Sequence, residues 1–211
     1  MVNNGDIIII DYGMGNLRSV FNKFRKIGVS AIISSDPNEI EKAGKLILPG
    51  VGHFAAGMKN IQERGLLDIL TKKVLTDKTP ILGICLGMQL FTCFSEEGNV
   101  DGLGWINGET IRFNFNKEED KKKYKVPHMG WNSLDIKNGN LLYKNIPNNA
   151  MFYFVHTYHV VCKDEEDVTA CTNYGYEFVS SVHKDNIYGT QFHPEKSHQD
   201  GFQIIKNFIA L

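Results

Sequence analysis

The heptad Gly83-Ile-Cys-Leu-Gly-Met-Gln89 constrains this chain most. A short apolar run, Pro80-Ile-Leu, precedes it and Leu90-Phe91 follows. That order predicts a strand, a sharp turn and a helix, with a Gly-x-Cys-x-Gly core at the junction. It is the cysteine form of the strand-turn-helix elbow that presents a nucleophile at the edge of a parallel sheet. Gly83 and Gly87 leave room where a Cβ would meet the neighbouring strand and helix. Cys85 then stands at a helix N-terminus, where backbone N–H groups favour a thiolate that attacks carbonyl carbon. On the elbow alone, a small buried core cysteine is the commoner reading of Cys85.

The segment Gln191-Phe-His-Pro-Glu195 weighs for chemistry. Tyr188-Gly-Thr-Gln-Phe192 alternates like a strand. His193 precedes Pro194 and is therefore biased to extended backbone. In extended chain, residues i and i+2 face the same way, so His193 and Glu195 are expected to share one face. A carboxylate on one ring nitrogen fixes the tautomer and leaves the other nitrogen as the base. Cys85, His193 and Glu195 are thus the expected catalytic triad, and their separation along the chain is no obstacle.

The first half of the chain alternates strand and helix. Ile7–Asp11, Ser30–Ser34, Lys45–Leu48 and Pro80–Ile84 read as strands. Leu17–Ile27, a short helix opened by Ser35 or Asp36 before Pro37, Phe54–Glu63 and Leu66–Thr76 read as helices. Such units predict an open, mostly parallel sheet with helices on both faces. Ligands in these sheets bind beyond the carboxyl ends of the strands. Asp11, Gly50–Gly52 and Cys85 all fall there. The second half, from Leu103–Phe113 through Met151–Val155, Tyr158–Cys162, Val168–Thr172, Phe178–His183 and Ile187–Phe192, reads as antiparallel strands, closed by a helix over Gly201–Ala210. The charge run Lys117–Lys125 reads as a solvated loop. No linker or repeat divides the chain, so residues 1–211 are expected to form one domain.

Composition excludes more than it selects. With 211 residues, 42% hydrophobic and 22% charged, the chain suits an ordinary globular fold. A net charge of −1 gives no electrostatic case for nucleic acid or an anionic membrane. No apolar run approaches the roughly 20 residues that span a bilayer. The start, Met1-Val-Asn-Asn-Gly-Asp6, lacks a basic n-region. A cytosolic location is expected. Cys93, Cys162 and Cys171 match no metal or disulfide spacing and read as core or strand residues. His156-Thr-Tyr-His159 suits neither a strand face nor a helical metal site. Neither metal nor cofactor is expected.

Taken with Asp11-Tyr-Gly-Met-Gly-Asn-Leu-Arg-Ser-Val20, Leu48-Pro-Gly-Val-Gly52, Val126-Pro-His-Met-Gly-Trp-Asn132 and Tyr153-Phe-Val-His-Thr-Tyr158, these motifs resemble class I (triad) glutamine amidotransferases. Within them they resemble the glutaminase subunits of imidazole glycerol phosphate synthases in histidine biosynthesis. The likeness runs from Ile7 to Phe208, on a flavodoxin-like sheet with an antiparallel extension. It implies a glutaminase that forms a thioester on Cys85 from glutamine. The N–H of Leu86 is one expected oxyanion donor. The Pro49-Gly-Val-Gly52 loop should supply the other, and the resemblance points to Gly52 or Val51. It also implies that Gly50, Gln89, Glu97, His156, Thr157 and Tyr158 hold the glutamine. Thr157 stands where the family's motif carries serine, which keeps the hydroxyl.

Nothing in the chain binds an ammonia acceptor. The resemblance therefore implies a partner, a (β/α)₈-barrel cyclase subunit in a heterodimer, with Met129, Gly130 and Trp131 as interface and gate and Asn16 and Arg18 as further contacts. A paralogous glutaminase that serves another synthase, such as a sugar amidating enzyme, fits the same triad. A cysteine peptidase or deglycase fits less well, because Leu86 and not histidine follows the cysteine. A binding module without catalysis would be expected to lack a triad member.

Overall fold

The structure is a computed structural model that describes residues 5–116, 118–137 and 140–211, without the side chain at 121. Residues 1–4, part of the Met1–Asp6 start read above, and Lys117 of the charge run lie outside the described residues. In chain order the strands and helices are β1 (Ile7–Ile10), α1 (Leu17–Ile27), β2 (Ala31–Ser34), α2 (Pro37–Glu41), β3 (Lys45–Gly50), α3 (Phe54–Glu63) and α4 (Leu67–Thr71). Then come β4 (Ile81–Cys85), α5 (Leu86–Gln89), β5 (Thr92–Ser95), β6 (Val100–Asp101), β7 (Ile106–Arg112), α6 (Glu118–Lys123), β8 (His128–Ser133) and β9 (Asp135–Ile136). The last are β10 (Met151–His156), β11 (Tyr158–Cys162), β12 (Val168–Tyr174), β13 (Tyr176–Lys184), β14 (Ile187–Thr190) and α7 (His198–Ile209).

The apolar runs of the first half become a parallel sheet in the order β2-β1-β3-β4-β14. Both faces are covered, which is why the runs are continuous rather than alternating. Ile7 and Ile9 of β1, Ile47 of β3 and Leu82 and Ile84 of β4 pack on one side with Val20 and Phe24 of α1 and Ile204, Ile205 and Phe208 of α7. Ile8, Ile10, Leu46, Leu48 and Ile81 pack on the other with Ile40, Ile61 and Leu70. Helix boundaries follow local chemistry. Asn16 caps α1 and accepts from the Ser19 N–H, and Gly28 closes it in the left-handed conformation. Asp36 caps α2 with Pro37 at its first turn.

Beyond β14 the sheet turns antiparallel through β13 and β11 to β7, and then runs parallel again from β7 to β5. A separate ribbon, β8 against β10, pairs His128 with His156 and Trp131 with Tyr153.

Three expectations need correction. The Ile187–Phe192 segment is not only an antiparallel strand. β14 hairpins with β13, but its other edge lies parallel to β4, with Thr190 opposite Ile84. The Lys117–Lys125 run is not a loop, because Glu118–Lys123 is helical. Its acidic residues stand in the first turn and its lysines follow, as the helix dipole favours. The expected helix Leu66–Thr76 divides into α4 and a π-helical turn over Lys72–Thr76. Among the described residues, no helix is long and apolar enough to cross a membrane.

Candidate active site

β4 ends in Cys85, whose backbone sits at φ 54° and ψ −108°, a region that side-chain-bearing residues rarely occupy. The elbow holds it there. A Cβ on Gly87 would enter the carbonyl oxygen of Leu48, so only glycine lets α5 lie against β3. α5 is four residues long and leads into Leu90, which is shorter than the heptad suggests. Its dipole is correspondingly small. The first N–H groups of such a turn, Leu86 among them, have no carbonyl of their own helix to serve.

Parallel pairing of β14 with β4 carries His193 toward Cys85. His193 Nδ1 bonds Glu195 Oε1 at 2.8 Å, with both side chains buried. The pair does not arise from a shared strand face. Pro194–Lys196 is a 3₁₀ turn, and that turn folds the carboxylate back onto the ring. The segment is pinned to β10. The His193 N–H donates to the Tyr153 carbonyl at 2.9 Å, and the Ser197 hydroxyl donates to the His193 carbonyl at 2.6 Å.

The other ring nitrogen, Nε2, is buried with no hydrogen-bond partner. The Cys85 sulfur instead contacts the Val155 carbonyl at 3.8 Å and accepts from Gln191 Nε2 at 3.5 Å. Nucleophile–base hydrogen bonds are often open without substrate. Ring and sulfur are nevertheless close enough to sense one another's charge. Burial pushes His193 down, but the Cys85 thiolate and the Glu195 carboxylate outweigh it and raise the imidazolium to about 10. The imidazolium is thus the form held between Cys85 and Glu195.

A cleft of about 280 Å³ opens in front of Cys85. Val51, Gly52 and Leu86 line it, as do Gln89, Glu97, His156, Thr157 and Tyr158. Gly52 sits at φ 117°, which glycine tolerates. Gly50, expected among the glutamine contacts, is not in the wall. It is buried at the end of β3, where a Cβ would collide with the Tyr12 hydroxyl. The glycine is there for close packing.

The expected contacts also have structural duties. Glu97 Oε2 accepts from the Phe54 N–H at 2.7 Å, which caps α3. Gln89 Nε2 donates to the Tyr158 carbonyl at 2.8 Å and to Gln191 Oε1 at 3.0 Å. Sequence reasoning missed three neighbours: Pro127 and Val155 in the wall, and Gln191 on the sulfur. The position of Gln191, two residues before His193, was the available signal.

Met129 and Trp131 stand on the outer face of β8, 63% and 42% exposed. Trp131 is therefore not a core residue; its ring stacks on His198 at 4.7 Å. Gly130 lies between them at φ 137°. Asn16 and Arg18 are exposed at the start of α1. Of the other cysteines, Cys93 is an exposed strand residue on β5, the strand alternative of its two readings. Burial raises Cys162 to about 12 and Cys171 to about 11. Those two thiols are held protonated and inert at neutral pH. Among the described residues, no group of three or more His, Cys, Asp or Glu is placed to hold a metal ion.

A sequence model of the family described as glutamine amidotransferase class-I matches residues 8–211. The chain is 55% identical over 203 residues to an imidazole glycerol phosphate synthase subunit HisH 2 of Methanococcus maripaludis, covering 96% of this chain and 98% of that one. It is 50% identical over 206 residues to an imidazole glycerol phosphate synthase subunit HisH 1 of Campylobacter jejuni, covering 97% and 100%. In fold it resembles a crystal structure described as a glutamine amidotransferase. The TM-score is 0.70 at 18% identity, covering 98% of this chain and 98% of that one.

Proposed function

This chain belongs to the class-I glutamine amidotransferase family and to its HisH subunits, and from that premise we propose that it is the glutaminase subunit of an imidazole glycerol phosphate synthase in histidine biosynthesis. The observation that carries the reading is the pairing of β14 with β4, which sets the buried His193–Glu195 pair beside Cys85 at the head of a cleft.

Glutamine enters with its side-chain amide toward Cys85, held by Gln89, Glu97, His156, Thr157 and Tyr158. The sulfur attacks the amide carbon, and the carbonyl oxygen takes up the negative charge. The Leu86 N–H and an N–H of Val51 or Gly52 receive that charge. Protonated His193 gives its proton to the leaving nitrogen, so ammonia departs and a thioester remains. His193 then takes a proton from water as the water attacks the thioester. The tetrahedral adduct then expels the Cys85 thiolate, His193 keeps the proton taken from water, and the new carboxyl ionises as glutamate leaves. Glu195 keeps the ring oriented throughout. Positioned N–H donors of this kind are worth about 3 kcal/mol each in acyl transfer.

Ammonia released into bulk water becomes ammonium and is no longer nucleophilic. The reading therefore includes a (β/α)₈-barrel cyclase partner in a heterodimer, docked on Met129, Gly130 and Trp131 with Asn16 and Arg18 beside them. The 211 residues act as one amidotransferase domain in the cytosol. Reorientation of the Pro49–Gly52 backbone on docking would make the isolated chain a slow glutaminase that the partner accelerates.

The test is Cys85→Ala in the assembled complex. Glutamate release should vanish while synthesis from added ammonium salt continues. Glutaminase activity that survives the substitution would refute the assignment.

A further inference from the structure

Behind the cleft lies a pair of buried histidines that the chemistry above uses only in part. His128 Nδ1 lies 3.1 Å from His156 Nε2, and the two residues are direct cross-strand partners of β8 and β10. His156 Nδ1 lies 2.8 Å from the Tyr158 carbonyl. Asn132 Nδ2 is 3.4 Å from His128 Nε2 and donates to the Asn173 carbonyl at 3.0 Å.

The direction of every proton in this chain follows from one fact. A backbone carbonyl only accepts, so His156 must carry its hydrogen on Nδ1. Neutral His156 then accepts at Nε2, and His128 must donate from Nδ1. His128 Nε2 in turn accepts from the Asn132 amide. A second proton on either ring would set N–H against N–H. The sequence of bonds continues on the far side. The Tyr158 carbonyl that His156 holds also accepts from Gln89, Gln89 donates to Gln191, and Gln191 donates to the Cys85 sulfur. Aromatic rings enclose the pair: Phe154 and Tyr174 lie against His128, and Phe113 and Phe178 lie against both.

Alternation along β8 gives the arrangement its second end. His128 and Asn132 point inward while Met129 and Trp131 point outward, as neighbours on a strand must. The outer and inner faces thus share one backbone.

We propose that His128 is a positioning residue for glutamine hydrolysis: it holds His156 in one tautomer and thereby sets the Tyr158 carbonyl, Gln89, Gln191 and the Cys85 sulfur, and it ties that setting to the partner-facing strand β8. The inference rests on the glutaminase reading and adds a route by which docking reaches the nucleophile.

Glutamine turnover measured with and without the barrel subunit tests it. His128→Phe keeps a ring but removes both nitrogens. His128→Asn keeps a donor near the Nδ1 position. In H128F the stimulation by the partner should fall about tenfold, the scale of one lost buried hydrogen bond. H128N should recover most of it. A fraction of misfolded enzyme lowers both rates alike and leaves their ratio unchanged, so the ratio separates positioning from folding. Should H128F fail to fold, Asn132→Ala at the less buried end of the chain should lower the ratio in the same direction. Wild-type stimulation in H128F, or in N132A where H128F does not fold, would overturn the proposal. Absence of glutamine hydrolysis by the wild-type complex would instead overturn the functional reading beneath it.

Discussion

His193 illustrates how opposing forces set one residue's behaviour. Burial disfavours its charge, while a thiolate and a carboxylate on either side favour it, and the charges win. The sign of the linkage follows. The folded value, about 10, lies above the unfolded 6.5. The stabilising contribution is therefore fully present below pH 6.5 and disappears as pH rises through about 10. Glutaminase activity should decline over the same alkaline range, because the leaving ammonia needs the imidazolium proton. Cys85→Ala removes the thiolate and leaves the burial, so a histidine NMR titration should report His193 well below its wild-type value. An unchanged titration would exclude Cys85 as the source. At this scale the sequence was informative about Cys85, His193 and Glu195, whose motifs are local. Gln191 stands inside the same motif as His193, but its contact with the Cys85 sulfur is set by the pairing of distant strands and was not read from the sequence.

Among the elements, the elbow and the His-Pro-Glu turn were legible to different degrees. Gly83 and Gly87 encode close packing in a few adjacent residues, and the structure has that packing. Gly87→Ala should destabilise the fold by about 3 kcal/mol, measured by urea denaturation. The obstacle is a backbone carbonyl, which cannot swing aside like a side chain. A loss under about 1 kcal/mol would mean that α5 can lift from β3 freely. The link from His193 to Glu195 was expected from extended geometry and is made by a 3₁₀ turn instead. Either path brings a carboxylate to a ring two residues away, which is why the expected contact is present although the conformation is not the expected one. The acidic-then-basic order of α6 carried a helix signal that a count of charges alone overlooks.

Across the whole molecule, the outer face of the β8–β10 ribbon presents Met129, Trp131 and Met151 to solvent, with Tyr153 between them. Large apolar side chains gathered on one edge mark a surface for association. On the proposed function, Trp131→Ala should weaken binding of the proposed barrel partner by about 30-fold, near 2 kcal/mol, by titration calorimetry. It should change the stability of the isolated chain by less than about 0.5 kcal/mol. Equal partner affinity in the variant and the parent would move the docking surface elsewhere. The alternation of strand and helix in the first half, the helix caps and the elbow were readable because each is written in neighbouring residues and short-range sterics. Which edge of β4 the last strand joins, and hence that His193 meets Cys85, depends on burying both faces of one sheet. That burial is a property of the assembled chain: α1 and α7 cover one face, α3 and α4 the other, and β14 takes the edge of β4 that β3 leaves open.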